Sequence, residues 1–133
     1  MKILREALNL LRKKEARPKS LGAIAREHMH YPMPSTMINA YKAVVDEARS
    51  RGDTRSDESL FYLVLMERMD RNAEIYQHDP EYAHRESGMW EEIMMVGKEL
   101  NYFTADDTVE SIKRLVVNQM RATSMGQVVK DRV

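Results

Sequence analysis

The chain carries four histidines and no cysteine, so any metal centre would have to rest on imidazole and carboxylate. His28 and His30 stand one residue apart beside a proline-rich stretch. In a helix that spacing sends the two rings to different faces, and in an extended loop to the same side. Glu27 is the only carboxylate within two residues of either, so further ligands must come from elsewhere, and surface histidines are the simpler explanation. Glu81 and His84 are more suggestive. Their i, i+3 spacing is the one that di-iron carboxylate bundles use to aim both groups inward from one helix. Such sites need two copies of the motif and two further glutamates, or a dimer that duplicates one set. This chain has one motif, placed where the first turn of a helix favours acids anyway. Glu81 and His84 are therefore weak metal candidates, and no cofactor is expected.

Catalytic pairs are no better marked. Glu67, Asp70 and Glu74 interleave with Arg68 and Arg71, a pattern that solvated ion pairs along one helix explain. A serine nucleophile wants a strained turn with glycine beside it. Ser87-Gly88 is the only such pair near a histidine, and it lies inside a helical pattern. Five glycines form no phosphate-cradling loop. No catalytic residue is assigned, and the expectation is a protein that is not an enzyme.

The basic N-terminal third offers a different chemistry. Residues 21–27, Leu-Gly-Ala-Ile-Ala-Arg-Glu, then a break, then residues 35–42, Ser-Thr-Met-Ile-Asn-Ala-Tyr-Lys, resemble a helix-turn-helix. On that resemblance Arg12, Lys14, Arg17 and Lys19 hold phosphates while Thr36, Asn39 and Lys42 face a groove. Two features oppose it. The break is longer than the usual three or four residues, and it holds two prolines but no glycine.

These side chains need helices to position them, and the apolar period is helical throughout. Ile3, Leu4, Ala7, Leu8 and Leu11 make a first stripe that Pro18 ends. Ser20 caps a short second helix reaching about His28, and Ser35 caps a third that Gly52 stops. A fourth runs from near Ser56 to about Gln77. Its residues 60–66, Leu-Phe-Tyr-Leu-Val-Leu-Met, are apolar all round, which suits a central helix or one buried by a partner chain. Asp79-Pro80-Glu81 restarts a fifth helix, and Thr104-Ala105-Asp106-Asp107 reads as a capping box for a sixth. The expected core includes Leu8, Ile24, Ile38, Val45, Val64, Met69, Trp90, Ile93, Ile112 and Val116. From about Ser124 the pattern fades into a frayed tail. No period-2 segment suggests a sheet. The expectation is an all-α compact bundle of five to six helices.

Composition bounds the rest. The 133 residues carry 21 basic and 21 acidic groups and 43% apolar residues, enough for one real core. Net neutrality hides segregation: residues 1–52 stand at +6, 53–110 at −10 and 111–133 at +4. Three parts follow: a basic 1–52, an acidic bundle core over 53–123, and the tail 124–133. The longest apolar run is seven residues, too short for a transmembrane helix. With no signal-peptide pattern, a soluble cytoplasmic protein is expected, with no membrane partner. Eleven methionines suit adaptable surfaces, and Met33 and Met95 fall outside the expected core stripes. The sequence thus points to a small non-enzymatic binding or regulatory accessory protein that contacts another protein and copies of itself. Leu63, Leu65 and Met95 are the expected interface residues. A DNA-binding regulator using residues 20–51 is the alternative, and a carboxylate–histidine metal protein comes third.

Overall fold

The computed structural model describes residues 19–29 and 36–122, and among them every regular element is a helix. The order is α1 (Leu21–Glu27), α2 (Thr36–Ser50), α3 (Asp57–Tyr76), α4 (Tyr82–Glu99) and α5 (Val109–Ala122). The stripe of residues 3–11, with Leu8, lies outside the described residues, as do the Ser35 cap, Met33 and the tail.

Local chemistry sets the helix ends. The Ser20 hydroxyl accepts from the Ala23 amide at 3.1 Å, and that of Ser56 accepts from Ser59 at 3.1 Å, so α1 and α3 begin where expected. Gly52 ends α2 with φ +77°: Asp53 N–H reaches the Ala48 carbonyl at 2.9 Å and Gly52 N–H that of Arg49 at 3.1 Å. That paired pattern is a Schellman stop. Asn101, at φ +65°, builds the same stop for α4, with Tyr102 N–H on the Gly97 carbonyl at 2.9 Å and Asn101 N–H on that of Lys98 at 3.1 Å.

Two starts differ from expectation. Asp79-Pro80-Glu81 forms a turn in which Asp79 accepts from the Glu81 amide at 2.8 Å, and helix geometry begins only at Tyr82. Thr104 and Asp107 do bond, at 2.8 Å through the Thr104 amide, but they close the turn that precedes α5. The cap itself is Thr108. Its hydroxyl accepts from Ser111 N–H at 3.2 Å, and Ser111 Oγ accepts from Thr108 N–H at 2.8 Å.

Helix α3 is the axis of the bundle, packing against α1, α2 and α4, while α5 packs on α4. Phe61 is fully enclosed by a ring of aromatics: Tyr41 from α2, Tyr62 beside it, and Tyr102 and Phe103 from the turn after α4, with centroids 5.1–6.0 Å away. Val64, Trp90, Ile93, Ile112 and Val116 are buried as expected, and Ile24, Ile38, Val45 and Met69 pack partly buried against the same core. The core continues on both sides of residues 52–56, where the charge balance changes. Arg49 clamps that turn by donating to the carbonyls of Asp53 and Arg55, each at 2.7 Å, and by pairing with Asp57.

Phe103 folds back onto Gly97 so closely that a Cβ there would lie 2.1 Å from its ring. Alanine in place of glycine within a helix ordinarily gains about 1 kcal/mol. Here the overpacking cost of about 1–3 kcal/mol should win. Gly97→Ala is expected to lower the melting temperature, measured by circular dichroism; a rise would show that Phe103 does not seat on this helix.

Candidate functional site: a buried polar seam and two outer helix faces

Below the aromatic ring, the apolar lining of α3 gives way to charge. Glu67 is only 1% exposed, and its Oε2 accepts from Arg26 Nε of α1 at 2.6 Å. The other edge of the Arg26 guanidinium forks onto Glu74, one turn further than Glu67's i+4 neighbour, at 2.6 and 3.3 Å. The Glu74 and Glu67 hydrogen bonds push the guanidinium still further toward its charged form, and Arg26 in turn holds the Glu74 carboxyl below its usual range. Arg71 adds a looser pair to Glu74 at 3.6 Å.

A second carboxylate works on the far side. Glu92 of α4 accepts through Oε1 from the Met37 amide at 2.8 Å and from the Thr36 hydroxyl at 3.2 Å. Through Oε2 it accepts from Arg68 of α3 at 3.0 Å. A carboxylate borrowed from another helix thus caps α2, where the helix dipole favours negative charge. The spacing predicts solvated ion pairs along this helix, and Glu74 is indeed exposed and paired with Arg71 at i, i+3. The structure corrects that reading for Glu67 and Arg68, whose partners Arg26 and Glu92 come from α1 and α4. Long-range pairing of this kind leaves no local signal in the spacing.

Elsewhere, Arg55 holds the Asp53 carboxyl down at about 2, chiefly by side-chain hydrogen bonding. Its depressed value means this pair stabilises the fold above the ordinary carboxylate range and loses that contribution as pH falls toward 2.

Four of the seven expected DNA-binding residues lie among the described ones. Thr36 is buried under Glu92, which corrects its assignment as a base-reading residue. Asn39 and Lys42 are exposed on α2, and Lys19 is exposed but paired with Glu27. Arg12, Lys14 and Arg17 lie outside the described residues. Glu81 and His84 are both exposed, and among the described residues no three metal-ligating side chains gather.

The expected interface is also redistributed. Leu63 and Leu65 point to nearly opposite sides of α3, yet this chain buries both, so neither is a surface contact residue. That correction follows from α1, α2 and α4 covering α3 from several directions. Met95 is 68% exposed, and Leu115 and Val117 of α5 are 40% and 45% exposed. No helix among the described residues is long and apolar enough to cross a membrane. Compared with known proteins, the chain matches no family model, no curated protein and no solved structure.

The seam gives a sharp expectation. Removing one partner of a buried ion pair typically costs about 3–5 kcal/mol, because the other charge is left unpaired. Arg26 is partly open to water, so Arg26→Ala should cost about 2 kcal/mol in urea denaturation, and adding Glu67→Gln should return about half of it. A cost below about 0.5 kcal/mol for Arg26→Ala would show that Glu67 is satisfied without α1.

Proposed function

We propose that this chain is a small helical binding protein, without catalytic activity of its own, that works through protein–protein contacts and association with copies of itself. One observation carries the reading: the two outer helices leave large apolar side chains in water. Met95 on α4 and Leu115 and Val117 on α5 stand exposed, while the interior closes over Leu63 and Leu65. Large apolar groups left on an otherwise charged surface are the usual raw material of contact sites. Methionine suits the role, since its unbranched thioether adapts to an irregular partner.

The polar interior supports the same reading. Arg26, which a DNA-binding protein would offer to phosphates, is committed to Glu67 and Glu74. Thr36, which would offer its hydroxyl to a base, is committed to Glu92. Side chains with protein partners of their own are poorly placed to serve a nucleic acid as well. A DNA-binding role would rest on Asn39, Lys42, Lys19 and the basic residues that precede them.

Multi-angle light scattering on the purified chain, alone and with duplex DNA at low and moderate salt, separates the two. The expected result is a mass above 15.5 kDa at high micromolar concentration that DNA does not change. A monomer that shifts onto DNA at 50 mM salt and releases it at about 200 mM would overturn the proposal in favour of polyanion binding.

A further inference from the structure

Two exposed helix faces carry matching patterns of opposite sign. On α4, Glu91, Met95 and Glu99 follow one another at i, i+4, i+8, all exposed, with the methionine between the two acids. On α5, Arg114, Val117 and Arg121 follow at i, i+3, i+7, again all exposed, with the valine between the two bases. At 1.5 Å of rise per residue the two acids stand about 12 Å apart along their helix and the two bases about 10 Å along theirs. Among the described residues neither pattern is used: Glu91, Glu99, Arg114 and Arg121 form no ion pair there. Val117 lies on an open face of α5 among Glu110, Lys113, Arg114, Asn118 and Arg121 of the same helix. Lys113 leans away over the Trp90 ring, 5.6 Å from its centroid, which leaves Arg114 and Arg121 as the exposed cations of that face.

We infer that the exposed face of α5 is covered by the α4 face of a second copy of this chain, with Met95 against Val117 and the two glutamates against the two arginines. The inference rests on the self-association proposed above and names its surface. Both halves belong to one chain on neighbouring helices, so a two-fold axis satisfies them twice: α4 of each copy seats on α5 of the other, and the assembly closes as a dimer. The apolar pair at the centre excludes water, and the flanking charges set the register and reject the like-with-like pairing of α4 on α4 or α5 on α5. Surface ion pairs are screened by salt, so this dimer loosens as ionic strength rises.

Charge reversal tests it on the full chain. One variant carries Glu91→Lys and Glu99→Lys, the other Arg114→Glu and Arg121→Glu. All four positions are exposed, and circular dichroism checks that each variant folds. Each variant alone now meets its own charge and is expected to sediment as a monomer at concentrations where the unaltered chain is a dimer. Mixed in equal amounts, the two variants present acid to base at both contacts, and the expected result is a dimer containing one of each. An unaltered chain that associates while both variants associate equally well would overturn this interface and leave self-association standing. An unaltered chain that stays monomeric at high micromolar concentration would overturn both. Variants that dissociate but fail to recombine on mixing would show that α4 and α5 do not face each other across copies.

Discussion

The structure turns on one constraint: residues 60–66 of α3 are apolar around the whole circumference, so most of that circumference must be covered, and the chain buries Leu60, Phe61, Leu63, Val64 and Leu65 while Tyr62 and Met66 stay half-buried. A chain of this size has few helices to spare for the task. It meets the demand by surrounding α3 with α1, α2 and α4, and by folding the turn after α4 back so that Tyr102 and Phe103 close over Phe61. The close seat of Phe103 on Gly97 is part of that closure, because only a residue without a side chain lets the ring so near the helix. The left-handed Asn101 is the other part, since it reverses the backbone in time for the two aromatics to reach inward.

Packing α3 against three helices draws polar groups inward with it. The helix continues past the apolar segment, and Glu67 and Arg68 enter the packed region on opposite flanks. Each is paired with a different helix, Glu67 with Arg26 of α1 and Arg68 with Glu92 of α4. Glu92 also caps α2, so one carboxylate joins three helices. Buried ion pairs of this sort contribute little net stability compared with apolar packing, but a mismatch costs several kcal/mol. A slipped α1 or α4 would separate Arg26 from Glu67 or Glu92 from Arg68.

Much of the fold is legible in the residues. The stripes at helical spacing, Ser20 and Ser56 as caps and Gly52 as a stop each express a local preference that tertiary packing does not oppose. The start of α5 was displaced because Thr104 and Thr108 both stand ahead of a suitable partner three residues on, and local chemistry does not choose between Asp107 and Ser111. The seam was missed for a different reason. Glu67 and Arg68 satisfy the rule for solvated pairs along one helix, and only the approach of α1 and α4, 41 and 24 residues away in sequence, redirects them. An apolar run such as Leu63 to Leu65 suits a central helix and a partner-covered one equally, and only the packing of α1, α2 and α4 on α3 decides between them.

The apolar segment of α3 is packed by its own chain, and the large apolar side chains left exposed among the described residues are Ile75 near the end of α3, Met95 on α4 and Leu115 and Val117 on α5. The proposal that α4 and α5 carry the contacts depends on residues 60–66 being enclosed. Native-state hydrogen exchange tests this most directly. The amides of residues 61–65 should be the slowest in the chain, exchanging only through global unfolding, while those of α5 open more readily because that helix packs on α4. Amides of residues 61–65 that exchange as fast as those of α5 would contradict the account, since α3 would then be open on at least one side.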